Sequence, residues 1–220
     1  MRLVLMGPPG AGKGTQAKRL IEKFGMVHLS SGDIFRAERA GGSDLGRQMA
    51  DYMDAGQLVP DDVVVPMMAK AIAAQAGGLM LDGFPRTVAQ AEALDKQLAE
   101  ADKPLDAVVV ITVDDDAIVQ RITGRRSCPE CGKAFHVTFM PSQRGEFCDV
   151  CAGEVALTQR ADDTDQVVRD RLTAYKAQTQ PVIAYYRRRG ARVLDVDGSM
   201  SPEAVTDAIS EALRAVCSQG

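Results

Sequence analysis

No run of apolar residues in this chain approaches the roughly 18 that a membrane span requires. The opening six residues reach Gly7-Pro8-Pro9 at once, leaving too little apolar chain for the core of a signal peptide and no small-residue cleavage site. A cytoplasmic setting is therefore the expectation. A basic excess is missing too. Lys and Arg number 26 against 30 Asp and Glu, a formal net charge of −4, so the chain lacks the field of a general nucleic-acid binder. Internal repeats and low-complexity stretches are absent. With 45% hydrophobic and 25% charged residues, the composition excludes dominant disorder and fits a globular chain with a sizeable core. At 220 residues that means one large domain or one domain carrying insertions. Cysteine is scarce, five in all. Four cluster as two CxxC pairs, Cys128/Cys131 and Cys148/Cys151, and Cys217 stands apart near the C-terminus. In a reducing compartment this spacing reads as a metal site rather than disulfides.

Short apolar runs alternate with amphipathic stretches, the pattern of an α/β fold with a mostly parallel sheet. Leu3-Val4-Leu5-Met6 reads as a buried first strand, and residues 13 to 24 as a helix with Ala17, Leu20, Ile21 and Phe24 on its apolar face. A second strand is expected over 26–29. Helix follows from 33 to about 74, broken at Gly41-Gly42 and at residues 56–60. Leu79-Met80-Leu81 is a third strand. Thr87 then opens a helix with Gln90 three residues on, the spacing of a reciprocal capping box. Residues 107 to 113 are β-branched enough for a strand buried on both faces, and 117–123 continues as helix. From 124 to about 163 the rhythm stops, and Cys, Gly, Pro and polar residues predict a small insertion stapled by metal. Helical period resumes at Val168, Leu172 and Tyr175 with an interruption at Pro181, then a last strand over 192–196 and a helix capped by Ser201-Pro202.

The strongest chemical signal is Gly7-Pro8-Pro9-Gly10-Ala11-Gly12-Lys13-Gly14-Thr15, set between a strand and a helix. Glycines let main-chain N–H groups converge on phosphate oxygens, the helix start adds its positive dipole end, and Lys13 brings a full charge. A hydroxyl residue ordinarily follows the lysine directly; here Gly14 intervenes before Thr15. Asp82-Gly83-Phe84-Pro85-Arg86 follows the carboxyl end of a buried strand, where open α/β sheets place ligands. The four cysteines suit a closed tetrahedral site of structural type, most simply Zn²⁺, with His136 as a superfluous fifth donor.

GPPGAGKGTQA, SGDIFR at 31–36, LDGFPRT at 81–87, GRR at 124–126 and QRADD at 159–163 together resemble adenylate kinase of the long type with a zinc-bearing lid. The resemblance covers nearly the whole chain. It implies a P-loop core with a parallel sheet flanked by helices over 1–29, 60–123 and 164–220, a helical nucleoside-monophosphate-binding insertion over 30–59 and a lid over 124–163. It implies ATP + AMP = 2 ADP with Mg²⁺, the magnesium organised by Asp82 through water. ATP would lie on Gly10, Ala11, Gly12, Lys13, Gly14 and Thr15, with Arg121, Arg125, Ala134, Phe135 and Met200. AMP would lie on Ser31, Arg36, Gln57, Leu58, Val59, Gly83, Phe84, Pro85, Arg86 and Gln90, with Arg160 and Arg171. Lys13, Arg86, Arg125, Arg160 and Arg171 would be the catalytic cations, as two polyphosphates brought end to end require. A monomer with no nucleic-acid or membrane partner is expected.

Blander readings exist for each residue. Ser31 fits a helix N-cap, Arg36 a solvated face, Gln90 a capping partner and Asp82 a turn. A zinc-ribbon nucleic-acid module is the rival at the level of the whole chain. Residues 124–161 carry Arg or Lys at 125, 126, 133, 144 and 160 against Asp or Glu at 130, 146, 149 and 154, and so lack the basic stripe such a module needs. A CxxC thiol oxidoreductase fails on context, because neither pair starts a helix after a strand.

Overall fold

A computed structural model describes residues 1–217, with the side chain of Cys217 outside the description. Five strands form one parallel sheet: β1 (Arg2–Met6), β2 (Val27–Ser30), β3 (Leu79–Asp82), β4 (Ala107–Thr112) and β7 (Val193–Asp197), in the order β2-β3-β1-β4-β7. The registers run in step, Leu5 beside Asp82 and Val109, so the carboxyl ends of β1, β3 and β4 open on one edge.

Period-2 alternation explains why both faces are covered. Val4 and Met6 of β1, Leu79 and Leu81 of β3, and Val108 and Val110 of β4 enter one core. Leu3 and Leu5, Met80, and Val109 and Ile111 enter the other. The first core is closed by α4 (Asp61–Ala73), α5 (Val88–Glu100) and α8 (Gln180–Arg188), with Phe35 of α2 (Ser31–Ala40) and Met49 of α3 (Asp44–Asp54). The second is closed by α1 (Lys13–Phe24) and α9 (Pro202–Cys217). Gln16 of α1 ties these two helices, donating to Pro202 O at 2.9 Å and accepting from the Thr206 hydroxyl at 2.7 Å.

The segment that interrupts the α/β rhythm leaves after α6 (Asp115–Thr123) and returns at α7 (Asp165–Ala174). Ile118 and Ile122 pack on Val168 and Leu172, so its two roots lie side by side. Within it are the antiparallel pair β5 (Arg125–Ser127) and β6 (Ala134–His136) and a small core of Cys128, Phe135 and Cys148. The interruption expected at Pro181 is a π-helical turn, Tyr175–Thr179, in which the Gln180 N–H bonds Tyr175 O five residues back. Pro181 has no N–H to bond one turn back, and the wider turn absorbs that loss before α8 begins. Among the described residues, no helix is long and apolar enough to cross a membrane.

Candidate active site

The loop from β1 to α1 is built around close approach. At Gly10, with φ +76°, a Cβ would meet the Ile122 side chain at 2.7 Å, so glycine lets the loop lie on α6. The N-cap of α1 is Gly12, which leaves the start of the helix without a side-chain cap. Lys13 turns back over this loop, its Nζ donating to Gly7 O at 2.7 Å and Pro8 O at 2.8 Å. Burial brings its pKa down to about 8; Asp82 opposes that, and Arg86, Arg171 and Arg125 reinforce it.

Asp82 ends β3 in a buried position, and His28 Nε2 stands 3.3 Å from its Oδ2. The chain then turns through Gly83, φ +75°, where a Cβ would lie 2.8 Å from Ser31 Oγ. The Gly83 carbonyl accepts from both the Ser31 hydroxyl and Arg86 Nε, each at 2.7 Å. Ser31 is therefore not the N-cap of α2. That post belongs to Ser30, whose Oγ accepts the Asp33 N–H at 3.2 Å. Burial lowers the Arg86 pKa to about 10, with the Arg171 charge adding to it.

A second correction concerns Gln90. Thr87 caps α5 as expected, accepting from the Gln90 N–H at 3.1 Å, yet the return bond to the cap's own N–H is not made. Gln90 Oε1 accepts from Arg86 N–H at 2.7 Å, and Nε2 donates to Asp61 Oδ1 at 2.6 Å. Asp61 is the first residue of α4, and its other oxygen accepts from the Thr87 hydroxyl at 2.8 Å.

One pocket gathers many of these groups. Ser31, Arg36, Gln57, Leu58, Val59, Gly83, Pro85, Arg86, Gln90 and Arg171 line it together with Gly7, Pro9 and Lys13. Phe35, Met53 and Val64 supply apolar wall, and the π-helical turn contributes Tyr175 and Thr179. Four cations thus face one cavity: Lys13, Arg36, Arg86 and Arg171. Arg36 pairs with Asp33, and Arg171 Nη1 with Asp162 Oδ2 at 2.7 Å.

Other sequence-derived candidates stand outside this pocket. Phe84 is buried in the first core. Gly10, Ala11 and Gly12 lie in the loop beside it, and Gly14 and Thr15, both exposed, in the first turn of α1. Arg121 Nη1 donates to Gly198 O at 2.9 Å, near the exposed Met200. Arg125 forms a two-point pair with Asp163. Arg160 has its pKa lowered by burial, with the charges of Arg125 and Arg36 adding to the shift. Ala134 lies in β6, and the Phe135 ring is turned into the cysteine core. His28, Asp61 and Tyr175 were missed. Only their positions in the fold mark them, since a histidine in a short strand and an aspartate at a helix start carry no motif.

The four cysteines converge as their spacing suggests. Their Sγ atoms all lie within 4.8 Å of one another, with Cys128 to Cys151 and Cys131 to Cys148 both at 3.6 Å. Metal–sulfur bonds of about 2.3 Å in a tetrahedron set sulfurs about 3.8 Å apart, so the group fits one ion. His136 is no competitor. Its Nδ1 accepts from Thr138 and Phe139 N–H, each at 3.0 Å, which puts the proton on Nε2 facing Gln120 O at 3.1 Å.

The profile of the family described as Adenylate kinase matches residues 5–191. Curated relatives of that name resemble the chain along almost its whole length. The protein of Carboxydothermus hydrogenoformans is 47% identical over 216 residues, 97% of this chain and all of the relative. That of Archaeoglobus fulgidus is 46% identical over 98% of this chain and 99% of its own. That of Geobacter sp. strain M21 is 46% identical over 98% and 100%.

Proposed function

This chain belongs to the adenylate kinase family, and on that premise we propose the reaction ATP + AMP = 2 ADP with the roles that follow. An oxygen of the AMP phosphate attacks the terminal phosphorus of ATP, the bond from that phosphorus to its bridging oxygen breaks, and an ADP forms on each side. The observation that carries this reading is the convergence of Lys13, Arg36, Arg86 and Arg171 on one pocket beside an uncapped helix start. Catalysis of this kind rests on positioning and on neutralising charge rather than on a protein nucleophile.

AMP takes the pocket, its phosphate on Arg36, Arg86 and Arg171 and its base between Ser31, the 57–59 segment and Gln90. ATP takes the loop, with Gly10 to Thr15 on its phosphates and Arg121, Ala134, the main chain of Phe135 and Met200 around its nucleoside. Lys13 releases its two carbonyl partners to meet phosphate. Arg125 and Arg160 complete the cationic cup when the cysteine-bearing segment closes and excludes water. The division of the chain is 30–59 for the acceptor, 124–163 as lid, and the rest as core. Zn²⁺ held by Cys128, Cys131, Cys148 and Cys151 staples the lid. The buried carboxylate of Asp82 fits the hard-oxygen chemistry of Mg²⁺, which would enter with ATP and withdraw charge from its phosphates. The working form is a cytoplasmic monomer whose partners are ATP, AMP and ADP, with no nucleic acid.

A coupled ADP-formation assay with ATP fixed and AMP, CMP, UMP and GMP compared as acceptors tests the proposal. AMP is expected to be preferred by a wide margin. Failure to form ADP from ATP and AMP overturns it.

A further inference from the structure

We propose that Asp61 sets the choice of acceptor base by holding the side-chain amide of Gln90 in one orientation. The inference rests on the reading that AMP occupies the pocket lined by Gln90. Gln90 is almost wholly buried, so protein groups decide how its amide is turned. A primary amide offers two hydrogens and two lone pairs. One lone pair is taken by the Arg86 main-chain N–H at 2.7 Å, a group that can only donate. One hydrogen is taken by Asp61 Oδ1 at 2.6 Å, a carboxylate that can only accept. The assignment of oxygen and nitrogen is therefore dictated by the chemistry of the two neighbours.

Asp61 is itself fixed. Its Oδ2 accepts from the Thr87 hydroxyl at 2.8 Å, and the same hydroxyl accepts from the Gln90 N–H at 3.1 Å, which closes a ring of three residues. The carboxylate lies in the first turn of α4, where the helix dipole favours negative charge. A reversed amide would set oxygen against carboxylate and NH₂ against N–H, losing both bonds at once.

One hydrogen and one lone pair of Gln90 remain for a ligand, in an order that the amide cannot invert. A 6-aminopurine presents a donor at its 6-position and an acceptor at N1. A 6-oxopurine presents the two in reverse and needs the reversed amide. Asp61 thus rejects 6-oxopurines by repulsion at a distance from the base, and acts as a positioning residue through Gln90.

The test compares kcat/KM for AMP and inosine 5′-monophosphate, which differ in that edge, in the wild-type chain and in Asp61→Ala. Alanine removes the acceptor that holds the Gln90 amide nitrogen. The AMP-over-IMP ratio is expected to fall by about 10-fold or more in the variant. An unchanged ratio, or an equal loss for both acceptors, overturns the inference and leaves Asp61 a merely structural role. Should Asp61→Ala not fold, Asp61→Leu fills the same space without an acceptor and carries the same comparison. The underlying reading fails separately, if the wild-type chain makes no ADP from ATP and AMP.

Discussion

Arg125 and Asp163 are bound at two points across the roots of the cysteine-bearing segment, Arg125 Nε meeting Asp163 Oδ2 at 2.9 Å and Nη2 meeting Oδ1. The Asp163 side chain is completely buried, and Arg125 is 23% exposed. Removing one partner of a buried pair ordinarily costs more than the pair contributes, because the survivor is stranded. Here the survivor can reach water, so Asp163→Ala is expected to destabilise by about 2 kcal/mol, a drop of roughly 4–8 °C in Tm for a chain of this size. Arg169→Ala breaks a pair with Asp165 exposed on both sides, and should move stability by less than about 0.5 kcal/mol. Thermal unfolding of the two variants side by side checks the contrast.

Lys13→Ala separates chemistry from stability. Lys13 holds only the carbonyls of its own loop, so its loss should leave unfolding within about 1 kcal/mol of the wild-type value. A cation placed to meet the transferred phosphoryl group is another matter. Turnover should fall by roughly 10²–10³-fold or more. Steady-state kinetics with a melting curve on the same preparation decides, and near-wild-type turnover would remove Lys13 from the catalytic group.

What the sequence made legible follows the range of each interaction. The limits of α1 and the strands β1 and β4 were readable because a 3.6-residue or two-residue apolar period is a local signal. The cysteine site was readable because four thiols in two close pairs have few other uses. Local logic misled where distant partners competed. The spacing of Thr87 and Gln90 predicted a reciprocal box, but the Gln90 amide found the Arg86 N–H and Asp61, a residue 29 positions away. The sequence offered Ser31 as an N-cap, but the Gly83 carbonyl drew its hydroxyl away and Ser30 took that post. The π-helical turn was seen only as a break at Pro181, since apolar spacing does not distinguish how the backbone absorbs a missing N–H. His28 beside Asp82 had no signal, because the pairing depends on the register of β2 against β3.

The cysteine site should govern stability more than turnover. Its apolar core consists of Phe135 with the buried cysteines and the partly buried Val155 and Leu157, too little to hold about 40 residues without a staple. Metal binding to a thiolate site is folding free energy. Cys128→Ala, or prolonged chelation, is therefore expected to lower Tm by well over 5 °C while the remaining folded fraction keeps most of its turnover at low temperature. Metal content measured with the melting curve checks this. An unchanged Tm with metal still bound would show that Cys128 is dispensable.

Proton uptake on nucleotide binding is the outcome least dependent on mutation. Without ligand, burial holds the Lys13 pKa near 8, below its ordinary value of 10.5, with Arg86, Arg171 and Arg125 adding to the shift against the pull of Asp82. A polyphosphate brought to Lys13 supplies negative charge and stabilises the ammonium, so binding must raise that pKa. Below pH 7 the amine is protonated in both states, and binding through this group takes up no proton. Between about pH 8 and 10.5 the free protein has lost the proton that the complex keeps. Binding there should therefore consume up to one proton, and affinity should fall as pH rises through 8, approaching tenfold per unit. Calorimetric titration with an ATP analogue at pH 8.5, in two buffers of different ionisation enthalpy, reads the proton count directly. Lys13→Met should abolish the buffer dependence. If the wild-type heat does not depend on the buffer, Lys13 does not meet the phosphates in its charged form.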